Sequence, residues 1–236
     1  MTTQPKETGT VTKSIIFTQS NDLGLANLLH NKDFVRRNVY FKIVNPTTYQ
    51  RPLDKIPHEV ILGGFLKVFY IFLEADEEGV GGIVIDNTLM DYLHLSLEEL
   101  SALADKNTPL IFKPRIYEMG AMIQELIGTF DEMPPLDELP NGEMFVLTNT
   151  IKVNGASAMF YENLLEHIAS TLNSSFFILP SSIHEVILLK DHGNIPPQFL
   201  KEMVQTVNVS EVSDNEILSD SVFYYSQKTN TLSVVA

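Results

Sequence analysis

The pattern that most constrains the fold is a short hairpin followed by a helix, which the sequence contains twice. Residues 68–93 read as a strand, an acidic glycine-containing turn, a second strand and a helix opened by Asn87. Residues 144–172 are predicted to repeat that order, with the second strand at 158–161 and a helix opened by Asn163. Each asparagine suits an N-cap, because its side-chain oxygen accepts from a free amide of the first turn. Two such ββα units, each too small to bury its own apolar face, would pack together as an internal repeat. Since hairpin followed by helix is a common arrangement, coincidence is the alternative.

Further strands are predicted on both sides of this pattern. Residues 38–44 (Asn-Val-Tyr-Phe-Lys-Ile-Val) alternate in the way of a half-buried strand, which stops at Asn45-Pro46. Residues 60–73 are rich in aromatic and β-branched side chains, which favours a strand over a helix. A buried strand is predicted at 183–189, entered through a polar turn.

Three helices are predicted outside the two units. Ser96 and Glu99 form a capping-box pattern ahead of a helix that runs to about Ala104. Apolar residues at intervals of three and four predict a helix over 116–130, and another with an apolar stripe begins after Pro196. Strands and helices are interspersed without the regular spacing of a parallel βαβ sheet, so the predicted fold class is α+β with antiparallel sheets.

The chain is predicted to form one domain made of two halves. Residues 1–13 are polar and lack periodicity, which predicts a disordered lead before a single α+β domain over 14–236. Residues 131–143 carry three prolines and five acidic residues. We interpret them as an exposed linker between sub-units at about 14–130 and 144–236.

Composition limits the compartment and the chemistry. With 236 residues, 44% of them hydrophobic, the chain can bury a substantial core. It has no uninterrupted apolar run of about 18 residues, and its start lacks the residue order of a signal peptide. The absence of cysteine excludes disulfides, thiolate metal ligands and cysteine nucleophiles, and it fits a reducing compartment. A cytoplasmic protein that does not bind membranes is therefore expected.

The net charge of −14 is unevenly distributed. Residues 1–67 hold nine Lys or Arg and five Asp or Glu, whereas residues 68–236 hold seven and 25. Because most of this surface repels a polyanion, generic binding of nucleic acid is disfavoured. The acidic part could instead compete for a basic site on another protein, or simply keep the protein soluble.

The pentapeptide His-Glu-Val-Ile-Leu occurs at 58–62 and again at 184–188. It does not form a zinc-protease motif, because the position four residues after His58 and after His184 is a leucine in each case. In a strand, His184 and Glu185 point to opposite faces and cannot act together. No histidine pair has metal-ligand spacing, so no metal and no cofactor are predicted. The two pentapeptides lie 126 residues apart, unlike the 76-residue period of the hairpin pattern, and are therefore not equivalent positions of one repeat.

Ser181 and Ser182, just ahead of His184, resemble a nucleophile beside a base. No G-x-S-x-G elbow surrounds them, and turn chemistry after Pro180 is the simpler interpretation. The glycines at 79, 81 and 82 do not fit a phosphate-binding loop and predict a hairpin turn. No catalytic residue is therefore predicted. Ser181, Ser182, His184 and His58 remain the candidates for contact with a ligand or partner.

Several strings are specific in their order and spacing. They include Asn38-Val-Tyr-Phe-Lys-Ile-Val-Asn45, Met144-Phe-Val-Leu-Thr-Asn149, Asn154-Gly-Ala156 and Leu179-Pro-Ser-Ser-Ile-His-Glu-Val-Ile-Leu188. Together they resemble an uncharacterised bacterial family whose members occur in genomes rich in conjugative elements. The resemblance begins at about residue 33, before which the chain departs from the family, and continues to the C-terminus. A more distant likeness is to hypothetical bacterial proteins with a Pro-His-x-Asp-Val stretch. Neither family implies a reaction or a catalytic residue.

Three functional hypotheses follow. The first is a non-enzymatic accessory or inhibitory factor, associated with a mobile element, that binds another protein through a basic surface of that partner. The second is an enzyme or small-ligand binder with a pocket around Pro180 to His184, near which His58 and Tyr161 could lie. The third is an acidic mimic of nucleic acid. The sequence leaves the oligomeric state open.

Overall fold

The computed structural model describes residues 22–76, 79–119 and 142–236. These residues form two antiparallel sheets with helices packed on them. The predicted α+β class with antiparallel sheets is confirmed. The helices are α1 (Asp22–His30), α2 (Lys32–Asn38), α3 (Asn87–Leu93), α4 (Leu97–Ile111), α5 (Leu164–Leu172) and α6 (Pro197–Glu211), with 3₁₀ turns at Leu53–Lys55, Leu62–Gly64 and Gly155–Phe160.

The first sheet is built around one long strand. It comprises β1 (Val39–Val44), β2 (His58–Val60), β3 (Leu66–Asp76) and β4 (Gly79–Val84). All three other strands pair antiparallel with β3, and the register places Tyr40 beside Tyr70 and Lys42 beside Val68.

The second sheet has six antiparallel strands in the order β10-β9-β7-β8-β6-β5. They are β5 (Pro114–Glu118), β6 (Met144–Asn149), β7 (Phe176–Leu179), β8 (Val186–Lys190), β9 (Phe223–Ser226) and β10 (Thr231–Val234). The predicted strand at 183–189 is therefore β8, which begins three residues later. Val186 and Leu188 are fully buried in the main core, as the alternation of a strand requires.

One core lies between the two sheets. It takes Val39, Phe41 and Ile43 from the inner face of β1, together with residues of the second sheet and of α5. Phe65 stacks on Phe223 with ring centroids 5.6 Å apart, which joins residues from the two predicted halves of the chain. A smaller cluster of Ile56, Leu66 and Val68 lies on the other face of the first sheet.

The prediction of a second ββα unit at 144–172 is wrong. Residues 158–161 are not a strand, since Gly155–Phe160 is a buried 3₁₀ helix. The reason is that β6 already pairs with β5 on one side and β8 on the other, so no edge is free for a hairpin partner.

The predicted asparagine caps are confirmed only in the position of Asn163. Asn163 is the N-cap residue of α5, but it has a left-handed φ of 60° and makes no side-chain capping bond. In the first unit the N-cap of α3 is Asp86, whose carboxylate accepts from Leu89 N at 2.7 Å, and Asn87 is the first helical residue. The internal repeat is not confirmed.

The capping box at Ser96 and Glu99 is confirmed at the start of α4. The helix continues past the predicted end near Ala104 and includes Pro109 in its last turn. Thr108 Oγ1 anchors that turn, because it donates to Ala104 O at 2.6 Å and accepts from Phe41 N at 3.0 Å.

The first residues of the helix predicted over 116–130 form β5 instead, paired with β6. Its remainder from residue 120, the lead at 1–13 and residues 131–141 of the predicted linker lie outside the described residues. No helix within the described ranges is long and apolar enough to cross a membrane.

Candidate functional site

A pocket of about 290 Å³ opens on the outer face of the first sheet, away from the main core. Its floor comes from β1, β3 and β4, through Tyr40, Lys42, Tyr70 and Gly82. One wall is the chain that follows β1, and the opposite wall brings together Asn154, Ile183 and Asn215.

Strand alternation puts Tyr40 and Lys42 on this outer face. The sequence predicted a half-buried strand here, but β1 is buried on both faces: Tyr40 is 1% exposed and Lys42 is 8% exposed. The cover is the segment after β1, which folds back at Asn45. The side chain of Asn45 accepts from Thr47 N at 2.9 Å, and its carbonyl accepts from Tyr49 N at 3.0 Å.

Lys42 is a buried cation with no counter-ion among the described residues. Within the described part of the chain its ammonium group makes no ion pair and no hydrogen bond. It contacts aromatic faces instead, 4.5 Å from the ring centroid of Tyr70 and 5.9 Å from that of Tyr40. Burial, together with the nearby charge of Arg51, lowers the pKa of Lys42 to about 8.

Tyr40 supplies an unsatisfied hydroxyl to the same pocket. Its oxygen is buried and has no hydrogen-bond partner among the described residues. The ring is held by Tyr70, with centroids 5.6 Å apart, and by Phe112 at 4.9 Å. Gly82 is predicted in a turn but lies in β4. A glycine suits this position because a Cβ there would lie 2.8 Å from the Tyr40 hydroxyl. Burial raises the pKa of Tyr40, so the hydroxyl keeps its proton at neutral pH.

Tyr49, Tyr70 and Arg51 complete the polar lining on this side. The hydroxyls of Tyr49 and Tyr70 lie 3.1 Å apart. Burial is the main cause that raises the pKa of both tyrosines, while the positive charge of Arg51 opposes the rise. Both hydroxyls are therefore protonated donors near neutral pH.

The charge of the lining is opposite to that of the whole protein. Two of its residues, Lys42 and Arg51, are cationic, and none of the described residues that line it is an aspartate or glutamate. The other polar lining residues are neutral amides and hydroxyls. In a chain of net charge −14, this pocket is a local cationic site.

The pocket reaches the loop that the sequence analysis singled out, through Ile183, but His184 does not line it. His184 is held beside it: Nδ1 accepts from Asn154 N at 3.3 Å, and Nε2 lies 3.4 Å from Glu216 Oε1. The predicted opposition of His184 and Glu185 in a strand does not apply, because both precede β8. Burial raises the pKa of Glu185, with Glu216 adding to the rise and His184 opposing it.

The two serines occupy the polar turn ahead of β8. The hydroxyl of Ser182 accepts a hydrogen bond from the backbone amide of His184 at 3.0 Å and makes no hydrogen bond to the imidazole ring. Ser182 as a whole is 7% exposed. The carbonyl of Ser181 accepts from Leu218 N at 2.9 Å. These contacts stabilise the turn, and neither serine is paired with a histidine ring.

His58 lies in β2, where its Nδ1 is 2.7 Å from the carbonyl oxygen of Ile56. That oxygen can only accept, so Nδ1 carries the proton. No contact among the described residues joins His58 to His184, and neither lines the pocket. Tyr161, suggested beside them, donates to Phe112 O at 3.1 Å inside the protein. A search of the described ranges finds no group of three His, Asp or Glu arranged to hold a metal ion.

Apart from Ile183, the residues that line the pocket are not predicted from the sequence. The alternation over 38–44 predicts that Lys42 lies on the solvent side of a half-buried strand. The pocket could have been suspected from Tyr49 and Arg51, which lie close together just after the turn, because tyrosine and arginine are enriched at binding surfaces.

Comparison with known proteins gives a family but no activity. No curated protein and no solved structure matches the chain. One family model matches residues 8–227, so the similarity also covers residues before 33, where the sequence analysis placed a departure from the family. With most of its length matched, the chain belongs to the Family of unknown function (DUF5688).

Proposed function

We propose that this protein binds a small anionic molecule in the pocket formed by Tyr40, Lys42, Tyr49, Arg51 and Tyr70. The observation that carries the proposal is the buried ammonium group of Lys42, which has no counter-ion in the described structure. Burial of a charge without a partner is unfavourable, and buried charges in proteins are normally paired. A bound anion would supply the missing partner.

The lining supports this ligand class in two further ways. The hydroxyl of Tyr40 has no partner among the described residues and can donate to an anionic oxygen. Of the paired hydroxyls of Tyr49 and Tyr70, one donates to the other, and the second is free to donate to the anion. The volume of about 290 Å³ lies near the lower end of small-molecule sites, so the ligand is a small metabolite and not a polymer.

Thermal unfolding in the presence of inorganic phosphate or malonate, at constant ionic strength, tests the proposal. A ligand that binds only the folded state stabilises it by about 2.7 kcal/mol at a concentration 100 times its Kd. We expect either anion to raise the Tm of the wild type, the increase to vanish in Lys42→Met, and the increase to shrink in Arg51→Gln.

Two matched variants control for general loss of positive charge. Lys228→Met and Arg115→Gln each remove one exposed cation outside the pocket, and they should keep the full increase in Tm. An equal increase in the wild type and in Lys42→Met would place the anion elsewhere and refute the proposal.

The other functional hypotheses stay predictions. The acidic mimic of nucleic acid, the basic protein partner and the association with a mobile element have no identified partner. One surface bears on the partner hypothesis: Phe199, Met203 and Val207 follow one another at four-residue spacing on α6, and all three are exposed. The ligand-binding proposal has the stronger support because its pocket offers specific chemistry.

A further inference from the structure

We infer that Lys42 is a nucleophilic amine that condenses with the carbonyl carbon of a small anionic aldehyde or ketone bound in this pocket. The inference rests on the proposed anion binding and adds a covalent step to it. The anionic group would be held by Arg51 and the tyrosine hydroxyls, and the carbonyl would face the Lys42 nitrogen.

Comparison with a second buried lysine shows why Lys42 is suited to this role. Lys67, in β3, is 6% exposed and therefore buried to the same degree. Its ammonium group is fixed by Asp105 at 2.7 Å, Glu59 at 3.3 Å and the Ser101 hydroxyl at 2.7 Å. Those groups occupy the ammonium group of Lys67, whereas Lys42 lines a cavity and has no such partner among the described residues.

The surroundings of Lys42 meet the two conditions that activate an amine in a protein. The nitrogen is removed from water against the rings of Tyr40 and Tyr70, and a second cation, Arg51, lies close enough to disfavour its protonation. With a pKa of about 8, about one tenth of Lys42 is neutral at pH 7. That is roughly 300 times the neutral fraction of a lysine at its ordinary pKa.

The step is balanced without any other reactant. The nitrogen lone pair of neutral Lys42 attacks the carbonyl carbon, and the electron pair of the C=O bond moves to oxygen, which takes up a proton. The nitrogen then loses its two protons in turn: the first balances the proton taken up by the oxygen, and the second leaves with the hydroxyl group as water while the C=N bond forms. One amine and one carbonyl give one imine and one water, with no change of oxidation state.

Reductive trapping tests the inference with two probes that share this chemistry. Pyruvate carries a carboxylate next to its ketone, and glycolaldehyde phosphate carries a phosphate next to its aldehyde. The full-length protein is incubated with either probe and sodium cyanoborohydride, which reduces an imine to a stable secondary amine, and the modified lysines are mapped by peptide mass spectrometry. Comparison of the two probes shows which anionic group the pocket prefers.

We expect one adduct per chain on Lys42, formed at least about tenfold faster than on exposed Lys228 and absent from Lys67. Excess inorganic phosphate should suppress the Lys42 adduct without affecting the slow labelling of Lys228. Labelling of Lys42 no faster than that of Lys228, or labelling insensitive to phosphate, would overturn the inference.

Two measurements on the wild type, phosphate binding and reductive trapping, separate the inference from the proposed function. The variant Lys42→Arg identifies the nucleophile, because a guanidinium is not deprotonated in proteins and cannot form the imine. We expect no pocket adduct in Lys42→Arg, and a pocket adduct in that variant would overturn the inference. If the wild type binds phosphate but is not trapped, only the covalent step is wrong. If it neither binds phosphate nor is trapped, both proposals are wrong.

Discussion

Replacing Lys42 by methionine should stabilise the protein, although it changes a buried side chain. Methionine keeps an unbranched stem of similar length and removes the ammonium group, which lies over the ring of Tyr70 and has no counter-ion in the described structure. Replacing a buried charge by an apolar group of similar shape is often neutral or stabilising.

The pKa of Lys42 gives the size of the effect. Its fall from 10.5 to about 8 corresponds to a penalty on the order of 3 kcal/mol for keeping the protonated amine in the folded state. The cation–π contact with Tyr70, worth about 1 kcal/mol, offsets part of that penalty and is lost in the variant. At pH 7 the free energy of unfolding of Lys42→Met should therefore exceed that of the wild type by about 2 kcal/mol.

The difference should depend on pH in a defined direction. Below pH 8 Lys42 is protonated in both the folded and the unfolded chain, so the wild type carries the full penalty. Between about pH 8 and pH 10.5 the unfolded chain binds more protons than the folded one, so the wild type gains stability as pH rises. The advantage of Lys42→Met should therefore shrink through this window.

Chemical denaturation at about pH 7.5, 8.5 and 9.5, in a buffer without phosphate or carboxylate, measures this difference. The tyrosines that titrate at higher pH are common to both proteins and largely cancel in the comparison. Lys228→Met should differ from the wild type by less than about 0.5 kcal/mol at each pH, because its side chain is exposed. A less stable Lys42→Met, or an advantage that does not change with pH, would refute the reasoning.

Three other substitutions should each lower the free energy of unfolding, measured by denaturant titration. Lys67→Met should destabilise by about 1 kcal/mol, opposite in sign to Lys42→Met, because it leaves the partly buried carboxylate of Glu59 and the exposed one of Asp105 without their cation. A stabilised variant would contradict this. Gly82→Ala should lower the free energy of unfolding by about 1 to 3 kcal/mol and weaken phosphate binding, because its Cβ would lie 2.8 Å from the Tyr40 hydroxyl. Unchanged phosphate binding would count against that contact. Gly155→Ala should lower the free energy of unfolding by about 3 kcal/mol, because its Cβ would lie 2.5 Å from the backbone oxygen of His184. The residues that line the pocket are unchanged in this variant, and wild-type stability would show that the contact can relax.

Much of the fold could be predicted because local pattern and local structure agree. The capping box at Ser96 marks a real helix start, since that motif is formed entirely by residues three apart. The prediction failed at 158–161, because a short apolar run suits a strand as well as the 3₁₀ helix that the structure has there. Whether they form one depends on β6 having a free edge, and partners distant in sequence occupy both of its edges.

The candidate site could be predicted only in part. The sequence pointed to a pocket near Pro180 to His184, and a pocket does reach Ile183. The residues with the distinctive chemistry lie elsewhere, at Lys42 and around it. Their importance depends on the absence of a carboxylate near Lys42 in the described part of the chain, and no local sequence pattern encodes such an absence.

The sequence by itself determined the α+β class, the alternation that separates Phe41 from Lys42, and the cationic character of the first 67 residues. Only the tertiary structure decided that the outer face of β1 is covered and becomes a pocket. The reason is that alternation assigns side chains to two faces, but burial of a face requires another part of the chain to lie on it. Here that cover comes from the turn after Asn45 and from Asn154, Ile183 and Asn215, which are more than 100 residues away in sequence.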